Sequence, residues 1–151
     1  SAVQAINLVD FPVRVVDLRN ASLATTLPAL EVLDAIDAGA SLDEAAALAA
    51  SLVSRTHLFF TLNTLEYLHK GGRIGGAKRF IGTTFNIKPL LTMVDGKIEP
   101  KASIRTRKRA LDHLIEVVEQ TIDTSKPVAL GILHGQAGEE ADRLEEEARK
   151  R

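Results

Sequence analysis

The dipeptide Asp95-Gly96 constrains the fold of this chain more than any other local feature, because it separates two runs that favour strands. Those runs cover residues 87–94 and 97–104, and Asp-Gly between such runs is a strong signal for a two-residue hairpin turn. An amphipathic helix is predicted directly afterwards, from Arg107 to about Thr121, where apolar residues recur at helical spacing. The sequence therefore predicts an antiparallel hairpin followed by a helix.

Helix and strand signals alternate along the remainder of the chain. The predicted strands are residues 13–17, 57–62, 87–94, 97–104 and 128–133. The predicted helices are the end of one within 1–9, then 27–38, 42–55, 64–70, 76–84, 107–121 and 138–151. Two capping-box patterns, Ser41 with Glu44 and Asn63 with Glu66, mark helix starts. This mixture indicates an α/β fold of one ordinary domain or two small ones.

Composition excludes several classes of site. The 151 residues include no Cys, which excludes a disulfide framework, a thiolate metal site and a cysteine nucleophile. No apolar run approaches the length of a transmembrane helix, and the N-terminal residues do not resemble a signal peptide. The four His residues show no metal-ligand spacing, and no Ser-His-Asp arrangement can be argued from the order of the residues. We therefore expect neither a metal nor a cofactor.

Positive charge is concentrated in residues 70–109, which we call the basic segment. This segment contains eleven Lys or Arg residues and only two acidic ones, although the whole chain has a net charge of −1. A charge asymmetry of this kind suggests an anionic partner.

Two clusters within the basic segment are candidates for anion binding. Residues 105–109 include four cations at a predicted helix start, where the helix dipole favours acidic residues. Positions that break a local rule are where function is expected. The second cluster places Arg73 between two Gly-Gly pairs, which let backbone N–H groups approach an anion. We predict that Arg73, Arg105 and Arg107 converge on one face, and the structural alternatives are a solvated basic surface and an ordinary helix stop.

These segments together resemble the DegV family. The central signature is TLEYLHKGGRIG at residues 64–75, and it is followed by FNIKPLL at 85–91, the Asp95-Gly96 turn and RTRKRAL at 105–111. The resemblance extends upstream to residues 15–17 and 38–41, and downstream to His134-Gly135.

The resemblance implies a fold, a domain division and a function. Family members have an α/β/α domain with a parallel sheet and a second, two-layer α/β domain with a mixed sheet. Residues 1–60 would be the C-terminal part of the first domain and residues 61–151 most of the second. Members resemble the cytoplasmic, non-catalytic fatty-acid-binding subunit of bacterial fatty acid kinase. Such a protein binds a long-chain fatty acid as its ligand and presents the carboxylate to the kinase catalytic subunit, which phosphorylates it.

The chain departs from the family pattern around the fatty-acid head group. The family segments that hold the carboxylate would precede Ser1, and a C-terminal His segment would follow Arg151. We therefore expect an internal or C-terminal piece of a longer protein. Within the chain, Leu18 stands where members usually have Ser, and Ala24 stands where Gly is usual.

The acyl pocket is predicted to be lined from the second domain, by short helices and neighbouring strands. The candidate lining residues are Phe59, Leu65, Leu68, Ile74, Phe80, Ile81, Phe85 and Ile87. An ordinary hydrophobic core is the alternative interpretation of the same residues.

Two other classes of function remain open from the residues alone. A nucleic-acid-binding module could use the basic segment, but aromatic residues make up only 4% of the chain and no RNP, KH or zinc motif is present. A phosphotransferase could use Gly71 to Gly76 as an anion loop, but no acidic pair accompanies that loop to hold Mg²⁺. The sequence therefore favours a lipid-binding protein with no nucleic-acid partner.

Overall fold

The computed structural model describes residues 2–80 and 87–151. Its α-helices are α1 (Ala2–Ala5), α2 (Leu23–Asp37), α3 (Leu42–Leu52), α4 (Glu66–Lys70), α5 (Arg107–Thr121) and α6 (Gly138–Arg149). Short 3-10 helices cover Ile6–Leu8, Val53–Arg55 and Gly75–Phe80. The strands are β1 (Phe59–Thr61), β2 (Lys88–Val94) and β3 (Lys97–Ile104). The mixed α/β class is confirmed, and the bounds of α5 are those predicted.

The hairpin predicted from Asp95-Gly96 is present and forms the centre of the sheet. Its strands pair antiparallel, and β1 adds to the free side of β2 to give the order β1-β2-β3. Both turn residues have positive φ, 48° at Asp95 and 74° at Gly96, as a type I′ turn requires. The register shifts after Leu90, which pairs with Ala102, so that Leu91 pairs with Pro100. The shift marks a β-bulge, which bends the hairpin locally.

The sheet is covered on both faces by different kinds of element. Leu90 and Leu91 are both fully buried, and successive residues of a strand point to opposite faces. Helix α5 packs against all three strands, while the 3-10 helix Gly75–Phe80 packs against β3. Leu91 contacts Ile74 and Ala77, so its face is the one covered by the Gly75–Phe80 helix. By alternation, the Leu90 side chain belongs to the α5 face.

One of the two predicted capping boxes is correct. The Ser41 hydroxyl accepts from the Glu44 backbone N–H at 3.4 Å, and the Glu44 carboxylate accepts from the Ser41 N–H at 2.8 Å. The box predicted from Asn63 is wrong, because α4 begins later, with Leu65 as its N-cap and no side-chain cap. The Thr64 hydroxyl instead accepts from the Glu66 N–H at 3.1 Å. The Thr64 hydroxyl, rather than the Asn63 side chain, is therefore the acceptor at the start of α4.

The strands predicted at residues 13–17 and 128–133 are wrong. Both segments are outside regular secondary structure, and none of the other described residues forms a ladder with them. Gly131 lies against Leu23 and Leu27 of α2, so this segment packs on a helix rather than beside a strand. Several of their apolar side chains are exposed, among them Val15 and Leu130. The sequence preference for extended backbone is real, but a strand also needs a hydrogen-bonded neighbour.

Arg19, in the loop before α2, makes two contacts with the hairpin turn of the sheet. The Arg19 carbonyl accepts from the Gly96 N–H at 3.0 Å, and the Arg19 guanidinium pairs with Asp95 at 3.0 Å. Arg19 has φ of 51°, an unfavourable value for a residue with a side chain. Arg19 and Asp95 also line an open cavity of about 330 Å³, together with Met93 and Val53.

Candidate lipid and anion sites

An apolar cluster lies on the Leu91 face of the sheet. Its buried centre consists of Ile74, Ala77 and Leu91, with exposed fractions of 7%, 0% and 0%. Around that centre pack six half-buried hydrophobic residues: Phe60, Leu62, Leu65, Leu68, Phe80 and Ile98. We call these nine residues the apolar cluster. Most of its members keep some exposed surface, so the cluster reaches the surface of the described part of the chain.

The structure brings together four of the eight predicted lining residues. Leu65, Leu68, Ile74 and Phe80 all belong to the apolar cluster. Phe59 lies next to Phe60 on β1 and therefore points to the opposite face, and its ring stacks on that of His57 at 6.4 Å.

The remaining predicted lining residues are outside this group. Ile87 is half-buried just before β2 and is not a member of the apolar cluster. Ile81 and Phe85 lie outside the described residues.

Sequence reasoning missed five members of the cluster: Phe60, Leu62, Ala77, Leu91 and Ile98. Strand alternation could have found three of them, because Phe60, Leu91 and Ile98 share one face of the sheet once the register is known. Ala77 follows Ile74 by three residues, a spacing that places both on one side of a 3-10 helix. The missing information was the register, which the bulge after Leu90 alters.

The apolar cluster is covered by short elements rather than by a long helix. Helix α4 has five residues and the 3-10 helix Gly75–Phe80 has six. Gly75 has φ of 50°, and a Cβ at this position would overlap the backbone carbonyl of Ile98. A glycine is therefore required here, because it lets the covering chain lie directly on β3.

Arg73 and Arg105 are both exposed. Arg73 donates to the Gly71 carbonyl at 2.9 Å and is two residues from Gly75, which contacts Ile98. Arg105 directly follows β3, which ends at Ile104. Among residues 2–80 and 87–151, neither guanidinium has an ion-pair partner. The convergence of Arg73 and Arg105 on one face therefore stays a prediction.

Arg107 differs from both because its guanidinium is already occupied. Its Nε lies 3.0 Å from both carboxylate oxygens of Glu140, and its second nitrogen lies 2.5 Å from one of them. Its third nitrogen donates to the Thr61 carbonyl at 3.4 Å. The hydrogen bond from Arg107 holds the pKa of Glu140 below its ordinary value, so this carboxylate stays ionised at neutral pH.

Within residues 2–80 and 87–151, no group of three or more His, Cys, Asp or Glu side chains is arranged to hold a metal ion. No helix in the same ranges has the length and apolar content needed to cross a membrane.

Comparison with known proteins agrees with the sequence signature. The model of a family described as "Uncharacterised protein, DegV family" matches residues 1–151. A DegV domain-containing protein of Streptomyces coelicolor is 34% identical over 151 residues, which make up 100% of this chain and 53% of that protein. The chain spans about half the length of the curated relatives it matches.

Solved structures of the same family share the fold. DegV from Bacillus subtilis, described as a fatty acid binding protein, has a TM-score of 0.84 at 28% identity, covering 99% of this chain and 54% of that one. A DegV family protein from Thermus thermophilus, described by its fatty acid binding, has a TM-score of 0.72 at 35% identity, covering 79% and 42%. The resemblance in the sequence is confirmed, and this chain belongs to the DegV family.

Proposed function

We propose that this chain is part of a fatty-acid-binding protein and that its apolar cluster contributes to the pocket for the acyl chain. The observation that carries the proposal is the ring of half-buried hydrophobic side chains around Ile74, Ala77 and Leu91. Such a surface matches a saturated hydrocarbon chain, which has no polar group to satisfy. The fatty-acid binding described for the Thermus thermophilus and Bacillus subtilis relatives supports this assignment.

The covering elements suit a pocket that must open. A helix of only one turn is marginal by itself, and a 3-10 helix has weaker hydrogen-bond geometry than an α-helix. Helix α4 and the Gly75–Phe80 helix therefore depend on their contacts with the apolar cluster for stability. An acyl chain that replaced those contacts could separate the cover from the sheet at low cost.

Native mass spectrometry of the purified protein tests lipid binding directly. We expect a mass increase equal to one fatty acid, which organic extraction should release. Replacing Ile74 with aspartate should abolish the increase, because an unpaired carboxylate in an apolar pocket is strongly unfavourable. Replacing the exposed Leu33 with aspartate is the matched control and should leave the bound lipid in place. Lipid-free protein, even after incubation with long-chain fatty acids, would contradict the proposal.

We further propose that the basic segment presents the bound carboxylate to a partner kinase. Arg73 and Arg105 are the candidates for this contact, since each is exposed and free of ion pairs with the described residues. Arg107 was predicted to share this role, but it is held by Glu140 and would first have to be released.

Replacing Arg105 with alanine should reduce phosphorylation of the bound fatty acid about tenfold, because a charge-assisted contact to the partner is lost. Binding of the fatty acid itself should be unchanged. The measurement is the rate of acyl phosphate formation with the kinase subunit at low and high salt. Lys126→Ala is the control, since Lys126 is an exposed cation outside the basic segment. Equal rates for Arg105→Ala and the unchanged protein at low salt would rule out this contact.

The remaining features of the proposal follow from the family. We propose a non-catalytic, cytoplasmic protein in which the residues before β1 complete one domain and those from β1 onward form most of the lipid-binding one. Strand β1 begins at Phe59 and pairs with β2, so the boundary would lie just before the strand rather than within it.

A further inference from the structure

Helix α6 packs against α5. None of its residues is fully buried, and its inner side presents only small or half-buried groups such as Ala141 and Leu144. Three ion pairs connect the two helical regions along their length: Arg107–Glu140 at 2.5 Å, Arg143–Asp112 at 2.5 Å and Arg151–Glu119 at 2.6 Å. The pairs lie in order along the helices, so they act together when α6 docks.

Glu140 occupies the position at Arg107 that an anionic ligand would need. A guanidinium offers a planar fork that a carboxylate or phosphate fits with two hydrogen bonds, and Glu140 already makes that contact. Close by, the hydroxyl of Thr61 is buried and has no hydrogen-bond partner among the described residues. The carbonyl of the same Thr61 accepts from Arg107. Arg107 and the Thr61 hydroxyl together could hold an oxyanion if Glu140 moved away.

We propose that α6 is a reversible cover for Arg107, in which Glu140 occupies the guanidinium until a phosphate-bearing or carboxylate-bearing ligand displaces it. The inference rests on the proposed function, in which a fatty-acid carboxylate is converted to an acyl phosphate. Undocking of α6 would then expose Arg107 and Thr61 only when an anion is available to replace the Glu140 carboxylate.

The energetics favour a cover that can be released. The side chains of the three ion pairs are 26–46% exposed, and pairs with that exposure stabilise a contact only weakly. Salt screens such pairs, so docking of α6 should weaken as ionic strength rises. Because α6 has no fully buried side chain, none of its side chains has to leave a sealed core when it separates from α5.

The test is a titration of the purified protein with inorganic phosphate, followed through the Nε–H signal of Arg107 in nitrogen-15 NMR spectra. Glu140→Gln should bind phosphate roughly three- to tenfold more tightly than the unchanged protein, as expected when an exposed ion pair no longer competes. Asp112→Asn, which breaks the Arg143 pair without touching Arg107, should shift affinity in the same direction. Both variants should speed hydrogen exchange in α6.

The matched control is Glu139→Gln, which removes the same charge from the same helical turn. Glu139 is exposed and is joined in no ion pair with the described residues, so phosphate affinity should change by less than about twofold. Unchanged or weaker phosphate binding by Glu140→Gln would overturn the inference. If that result occurs while fatty acid still co-purifies, the cover is excluded and the lipid-binding proposal stands. Tighter phosphate binding without any bound fatty acid would support the cover and contradict the lipid proposal.

Discussion

Replacing Gly75 with alanine is expected to destabilise the protein by about 2–5 kcal/mol. Two separate costs add at this position. The backbone has φ of 50°, where a residue with a Cβ is disfavoured, and the new methyl group would overlap the carbonyl of Ile98. Because the obstacle is backbone of a paired strand, it cannot move aside without disturbing the sheet. The covering 3-10 helix would have to shift away from β3 instead.

Denaturant unfolding or thermal melting measures this loss, which should lower the melting temperature by roughly 5–15 °C. Gly76→Ala is the matched control. A Cβ at Gly76 would meet the carboxylate of Glu99, which is the free end of a flexible side chain and can rotate away. We therefore expect Gly76→Ala to cost less than about 1 kcal/mol. Equal losses for the two variants would show that the close approach of Gly75 to Ile98 is not what requires the glycine.

Leu91→Ala should reduce the free energy of unfolding by about 2–5 kcal/mol, because it leaves a cavity in a fully buried part of the sheet. The same substitution should also abolish binding of the fatty acid, since Leu91 lies at the centre of the apolar cluster. Stability is read from denaturant unfolding, and the bound lipid is read from native mass spectrometry of protein purified below its melting temperature.

Leu90→Ala separates these two effects. Leu90 is as buried as Leu91 and precedes it in the same strand, but its side chain belongs to the α5 face. We therefore expect a similar loss of stability with the fatty acid still bound. If both variants release the lipid equally, the apolar cluster is not specifically the acyl site. If Leu91→Ala retains the lipid, the assignment of this face to the pocket is wrong.

Local signals in the sequence were sufficient to predict the elements whose bounds depend on nearby residues. The Asp95-Gly96 turn set the hairpin and its two strands, and the Ser41 cap fixed the start of α3. Helix α5 could be bounded correctly because its apolar periodicity and its cap at Thr106 agree. In each case the information lies within a few residues of the element it specifies.

Contacts between distant residues could not be predicted in this way. The partner of Arg107 is Glu140, which is 33 residues away and lies on a different helix. Cations at the start of α5 predict an anion site, but the sequence could not show that a carboxylate of the same chain pairs with one of them. The register of β1 on β2, which decides that Phe60 and not Phe59 joins the apolar cluster, is likewise a property of the pairing alone.

The segments 13–17 and 128–133, which form no ladder with the described residues, affect how this chain behaves at high concentration. Each offers backbone donors and acceptors beside exposed apolar side chains, with Leu130 53% and Leu133 69% accessible. Segments of this composition act as templates for intermolecular β-pairing. Purified alone, the chain should therefore form aggregates in a concentration-dependent manner. Proline substitutions in these segments, where no described ladder hydrogen bond would be lost, should slow that process without altering the sheet.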